Sequence, residues 1–142
     1  MPLLRYRTKD LCSLTYEPCA CGRTNVRMSR IVGRSDDMLI IRGVNVFPSQ
    51  VESVVLELPE FEPHYQLVVD RVNNLDTLQV QVEVREAFYS DEISQMMALK
   101  KRIADRLHSV LGIGADIRLM EPHSIERSEG KSKRVIDKRV LK

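Results

Sequence analysis

Between Leu78 and Arg85 the chain alternates without a break: Leu78, Val80, Val82 and Val84 are apolar, while Gln79, Gln81, Glu83 and Arg85 are polar. Successive side chains of a strand point to opposite faces, so this stretch buries one face and wets the other. A helix would scatter the same residues around its circumference. The fold must therefore contain a sheet with one dry side, and something must cover that side.

The surrounding sequence supplies both the partner strands and the cover. Tyr65 to Val69 reads as a second strand, and Asn73-Asn74 as the turn that makes an antiparallel hairpin with the alternating one. Met38-Leu39-Ile40-Ile41 reads as a short strand ended by Gly43. Pro48 then sits where a helix begins, because its missing N–H costs nothing in the first turn. Val51, Val54, Val55 and Leu58 follow at helical spacing and Pro59 ends the element. The longest helix spans about 91 to 111, with Ser90 as N-cap, Asp91 and Glu92 at its positive end, and Gly112 as its stop. Its buried stripe is Ile93, Met96, Met97, Ile103, Leu107, Val110 and Leu111. Ile117 to Met120 gives one more strand, and a helical turn is expected from Val135 to Val140. The order is that of an α+β, ferredoxin-like split β-α-β sandwich, with helices on one face of an antiparallel sheet.

Residues 1–35 read differently. Leu3 to Leu14 alternates only loosely, as a short strand or hairpin would, and a polar, Arg-rich stretch runs on to Arg34. Too few apolar residues are present for a separate core. The expected division is a remnant of another, larger domain over 1–35 and a complete domain over 36–142. A net charge of +2 does not by itself call for nucleic acid or an anionic membrane. No apolar run approaches the roughly 20 residues that span a bilayer, and the start Met1-Pro2-Leu3-Leu4-Arg5 is unlike a signal peptide, so the cytoplasm is the expected compartment. Cys12, Cys19 and Cys21 are an odd set, which argues against a disulfide framework. Two readings stay open: reduced, unliganded thiols, or a zinc site completed by a fourth ligand from elsewhere.

Three segments spend Gly, Asp, Arg and Lys where a plain sandwich has no need of them. They are Tyr6-Arg7-Thr8-Lys9-Asp10-Leu11, Gly33-Arg34-Ser35-Asp36-Asp37 running on to Ile41-Arg42-Gly43-Val44-Asn45-Val46-Phe47-Pro48, and Arg127-Ser128-Glu129-Gly130-Lys131-Ser132-Lys133-Arg134. Singly, each is a polar turn. Together and in this order they resemble the adenylate-forming superfamily of acyl-CoA synthetases, peptide synthetases and luciferases, and most closely its phenylacetate–CoA ligase branch. The superfamily's usual proline ahead of the lysine is absent, since residues 125–127 read Ile-Glu-Arg.

The resemblance implies a chain made of the end of a large amino-terminal adenylation domain and the whole of a mobile carboxy-terminal lid. The implied reaction is acid, ATP and CoA giving acyl-CoA, AMP and diphosphate, with ATP or AMP bound together with Mg2+ and CoA as co-substrate. An aryl acid and a place in phenylacetate catabolism follow from the branch. Asp10 matches the aspartate that accepts the ribose hydroxyls, and Arg34 an arginine near ribose and phosphate. Asp36 matches the hinge, Gly43 the loop lining the pantetheine tunnel, and Lys131 the lysine of adenylation. The implied partners are these small molecules and the chain's own amino-terminal domain, with no nucleic acid and no membrane; a homodimer is open.

The chemistry asked of Lys131 is simple electrostatics. A carboxylate attacking the α-phosphate brings two anionic groups together, and one ammonium between them offsets the repulsion. At about 4 Å and an effective dielectric near 20 the contact is worth about 4 kcal/mol, or roughly three decades in rate. The competing reading is a stand-alone sandwich for regulation, dimerisation or ligand binding. An RNA-binding sheet would stack bases on aromatics, and the polar face Gln79, Gln81, Glu83 and Arg85 has none.

Overall fold

The computed structural model describes residues 7–90, 92–126 and 134–139. The chain divides into two compact units, Met1–Met38 and Leu39–Lys142. The first is built from two tiny antiparallel ladders. Strand β1 (Asp10–Leu11) pairs with β4 (Gly33–Arg34), and β2 (Leu14–Thr15) pairs with β3 (Arg27–Met28). None of the described residues of this unit is buried. Tyr16, Met28 and Val32 are among its exposed apolar side chains.

The second unit has a continuous core. Strands β5 (Leu39–Ile41) and β6 (Val44–Val46) form a hairpin, and α1 (Pro48–Glu57) follows with Pro48 in its first turn. Gln50 closes the start of that helix by accepting the Phe47 N–H on Oε1 at 2.9 Å. Val51, Val54 and Val55 are the buried side of α1. The central hairpin is longer than the sequence suggests: β7 is Phe61–Val72 and β8 is Leu75–Val84. Asn73 and Asn74 both take positive φ, 49° and 63°, the conformation of a tight hairpin turn that short polar side chains tolerate. Leu78, Val80, Val82 and Val84 all point into the core, each stabilising the fold by about 2 kcal/mol relative to exposure.

Helix α2 (Ile93–Leu111) crosses from β8 to β9 (Asp116–Met120), and β10 (Val135–Asp137) ends the fold. Gly112 terminates α2 at φ +70°, with its N–H donated to the His108 carbonyl at 2.9 Å. The sheet order is β10-β7-β8-β9. Ion pairs from Arg106 to Glu57 and from Arg102 to Glu60 tie α2 to α1 and the residues just after it.

The α+β class stands, with four corrections in detail. The sheet is mixed, because only β7–β8 is antiparallel while β9 and β10 each run parallel to their neighbour. The long helical crossover α2 permits the parallel placement of β9 beside β8. The expected helical turn from Val135 is a strand, since Val135, Ile136 and Asp137 find an open ladder along Leu67, Val68 and Val69. Val140 lies outside the described residues. Helix α2 starts at Ile93 with Glu92 as its N-cap; Ser90 instead accepts the Glu92 N–H on its hydroxyl at 3.1 Å. Finally, Ile93 and Met97 leave the buried stripe, at 75% and 64% exposure. They line an open surface groove with Tyr89, Met96 and Arg118. An apolar stripe fixes a helix face, but not how far its neighbours extend to cover it.

Candidate active-site elements

The motif residues of the first unit are brought together by its smallest ladder. Asp10 and Arg34 are direct cross-strand partners in β1 and β4. The turn after β4 folds back, with the Ser35 N–H donated to the Lys9 carbonyl at 2.7 Å and the Ser35 hydroxyl to the same oxygen at 3.1 Å. This puts Asp36 beside Arg34. The guanidinium grips both carboxylate oxygens, Nε to Oδ1 and Nη2 to Oδ2, each at 2.9 Å. Lys9 adds a second cation at 3.6 Å. The Arg34 hydrogen bonds hold the Asp36 carboxyl down to about 2, and Asp36 in turn raises Arg34 above its ordinary value. The side chain of Asp36, the residue that matches the hinge, is the anchor of this cluster.

Gly43 occupies the second turn position of the β5–β6 hairpin. Ile41 faces Val44, so the connection is Arg42-Gly43 alone, at φ +50° and +78°. Both values belong to the left-handed region that a tight hairpin demands, which makes Gly43 a backbone requirement. A Cβ built at Gly43 would meet nothing within 4 Å, so no packing contact in this chain forbids a side chain there.

Lys131, with Ser128, Glu129 and Gly130, lies outside the described residues. The chain on either side of the segment is anchored. Before it, the Ile125 N–H is donated to Oε1 of Glu83 at 2.6 Å, and Glu83 is completely buried on β8. After it, Arg134 donates to Glu52 of α1 at 2.7 Å and to the Tyr65 hydroxyl at 3.3 Å. The same guanidinium sits 5.1 Å from the centre of the Tyr65 ring, and Tyr65 donates its O–H to the Pro48 carbonyl at 3.0 Å. Burial raises the Tyr65 phenol above its usual value, keeping it a neutral donor. Arg134 and Pro48 end two of the motif segments, whereas Glu52, Tyr65 and Glu83 lie outside them. In sequence Glu83 is one more polar residue of the face that carries Gln79, Gln81 and Arg85, and only the fold reveals its burial.

The cysteines gather as a pair. Cys19 and Cys21 sit in one turn, closed by the Gly22 N–H on the Cys19 carbonyl at 2.9 Å, with their sulfurs 3.1 Å apart. The Cys19 contact lowers the Cys21 thiol pKa. Cys12 is exposed and does not complete a three-cysteine ligand set. Among the described residues no three His, Cys, Asp or Glu side chains converge well enough to hold a metal ion. No helix among them is long and apolar enough to cross a membrane.

Residues 43–139 match the family model of the AMP-binding enzyme C-terminal domain. The chain is 51% identical to a phenylacetate-coenzyme A ligase of Thermus thermophilus, with 98% of this chain and 34% of that protein aligned. It is 46% identical to the phenylacetate-coenzyme A ligase of Escherichia coli, over 99% of this chain and 32% of the relative. Its fold superposes on a 2-hydroxyisobutyryl-CoA ligase, crystallised in the postadenylation state with R3-HIB-AMP, at a TM-score of 0.82 and 32% identity, covering 97% of this chain and 29% of that one. The chain thus spans about a third of the length of the curated relatives it matches.

Proposed function

Because this chain belongs to the AMP-binding enzyme C-terminal domain family, we propose that it is the carboxy-terminal part of an ATP-dependent acid–CoA ligase acting on phenylacetate. The observation that carries the reading is alignment of almost the entire chain with phenylacetate-coenzyme A ligases at about half identity. Residues 1–35 are then the end of the large adenylation domain and 36–142 the lid, with that domain as the lid's partner.

The proposed reaction has two displacements. A carboxylate oxygen of the acid attacks the α-phosphorus of ATP and diphosphate leaves, giving an acyl-adenylate. The sulfur of CoA then attacks the acyl carbonyl and AMP leaves. In the first step Lys131 places an ammonium between carboxylate and α-phosphate, offsetting the charge gathered there. Asp10 accepts the ribose hydroxyls, and the cross-strand Arg34 faces the anionic side of the nucleotide. The fork on Asp36 uses Nε and Nη2, and a guanidinium carries further N–H donors, so nucleotide binding and the hinge can share one guanidinium. In the second step the Gly43 turn borders the pantetheine of CoA, with Asp36 as the pivot between the two arrangements.

Mg2+ would neutralise phosphate charge when bound with ATP; no residue of this chain is assigned to it. A zinc ion at Cys19 and Cys21 would need its other ligands from outside the described residues, and no step depends on one. Cytoplasmic location and self-association belong to the proposal as well, the latter tested by light scattering.

The test uses the full-length protein and separates the half-reactions. Lys131→Ala should lower acid-dependent adenylation about a thousandfold, by the contact energy above. It should leave thioester formation from supplied phenylacetyl-adenylate within a few-fold of wild type. Equal loss of both half-reactions would sink the assignment.

A further inference from the structure

Just beyond β10 the chain carries an arginine that no motif reading assigns. The Arg139 side chain is only 8% exposed, and each of its three guanidinium nitrogens donates a hydrogen bond. Nε donates to Asp137 Oδ1 at 2.9 Å and Nη2 to Asp137 Oδ2 at 2.6 Å. Nη1 donates to the Ile40 carbonyl at 2.7 Å and to Asp76 Oδ2 at 3.1 Å. Asp76 is a second junction. Its Oδ1 accepts Arg71 Nε at 2.8 Å, and its carbonyl accepts Arg42 Nε at 2.7 Å. Hydrogen bonds from Arg71 and Arg139 hold the Asp76 carboxyl below its ordinary value, and Arg139 does the same for Asp137.

Ile40 and Arg42 are the chain immediately before Gly43. One tie reaches Ile40 from Arg139 directly, and the other runs from Arg42 to the backbone of Asp76, whose carboxylate Arg139 also holds. The turn is thereby fixed to both the β7–β8 hairpin and the end of β10. Buried Ile41 and Val46 seat the apolar side of the β5–β6 hairpin on the core, so the two polar ties act on the turn itself, where Arg42 at φ +50° holds a conformation that asparagine or glycine would adopt more readily. Burying a guanidinium is costly unless each edge meets an acceptor, and a planar fork that meets three acceptors fixes their mutual geometry. A lysine ammonium has three donors but no rigid plane, so it would not fix their mutual geometry in the same way.

We propose that Arg139 is a positioning residue for thioester formation: it holds the Gly43 turn in the shape that the pantetheine of CoA meets, and it takes no part in adenylation. The inference rests on the reading of this chain as part of an acid–CoA ligase. In the full-length protein, Arg139→Gln should raise the KM for CoA about tenfold, the scale of a lost charged hydrogen bond. Acid-dependent exchange of diphosphate into ATP, which needs no CoA, should stay within about twofold. In Arg139→Ala, added guanidinium ion should bring the CoA KM back toward wild type. Should the Arg139 variants fail to fold, Arg42→Gly removes one tie while fitting the turn's φ, and it should raise the CoA KM in the same direction by about threefold. An unchanged CoA KM in a folded Arg139→Gln (or in Arg42→Gly in its place), or equal loss of both half-reactions, overturns the inference. A wild-type protein that makes no acyl-adenylate strikes the ligase reading instead.

Discussion

The two units of this chain carry chemistry in opposite ways. In Met1–Met38 the ladders are two residues long, nothing among the described residues is buried, and charged contacts set the local geometry. In Leu39–Lys142 a valine- and leucine-rich core, from Ile41 to Ile117, holds a four-stranded sheet under two helices. The first unit brings Asp10, Arg34 and Asp36 together through a hairpin turn and an ion pair. The second offers Gly43 at the tip of a hairpin braced by arginine contacts. On the proposed reading, in which the second unit is a lid and the first the end of a larger domain, the contrast is what the roles require: a lid that swings as a body needs its own core.

That contrast can be broken experimentally. The largest expected effect is in the core of the second unit. Leu107→Ala removes a fully buried side chain and should cost about 3 kcal/mol, read as a drop in denaturant midpoint. Met28→Ala, at an exposed position of the first unit, should stay within about 0.5 kcal/mol. Similar costs at the two sites would show that the first unit has a core of its own. Next in size, Arg34→Ala in the full-length protein should weaken nucleotide binding about tenfold by calorimetry, without lowering the melting temperature of the second unit. A smaller effect is expected for Gly43→Ala. It adds no clash but strains the left-handed turn, so it should cost about 1 kcal/mol of stability, and thermal melts would detect it.

The smallest effect is a titration. Asp36 has a folded pKa lowered to about 2 from 3.8, chiefly by its Arg34 hydrogen bonds. A depressed carboxyl pKa contributes stability that is present above the unfolded value, and that contribution fades as pH falls through the folded one. The Arg34–Asp36 contact should therefore persist at pH 5 to 8 and be lost only between about 4 and 2. Carbon-detected NMR should place the Asp36 midpoint near 2, and Arg34→Gln should move it up toward 3.8. A midpoint already near 3.8 in the wild type would mean that the fork is not formed in solution.

Much of the second unit was legible in the sequence because its signals are local. The alternation of β8, Asn73-Asn74 at the hairpin turn, Pro48 at the start of α1 and Gly112 at the end of α2 each act through their own backbone or their own face. What escaped depends on distant partners. Val135-Ile136-Asp137 is too short to show a period, and only the open edge of β7 makes it a strand. The α2 crossover is long enough to permit a parallel β9 but does not dictate it; the pairing with β8 does. Ile93 and Met97 continue a stripe that runs past its cover. The candidate site divides in the same way. Motif order pointed to Asp10, Arg34 and Gly43, but not to the register that sets Asp10 opposite Arg34. The grip of Arg34 on Asp36 and the enclosure of Arg139 by Asp76, Asp137 and Ile40 were equally invisible. For Cys12, Cys19 and Cys21 the sequence leaves reduced thiols and a zinc site both open, and the fold brings together only Cys19 and Cys21.

The central claim, that this chain is one part of a divided active site, is tested most directly by measuring AMP release from phenylacetate, ATP and CoA with the full-length protein and with this chain alone. The account predicts acid-dependent AMP and phenylacetyl-CoA from the full-length protein and neither from the isolated chain. Turnover by the isolated chain, or a folded full-length protein inert toward phenylacetate, would contradict it.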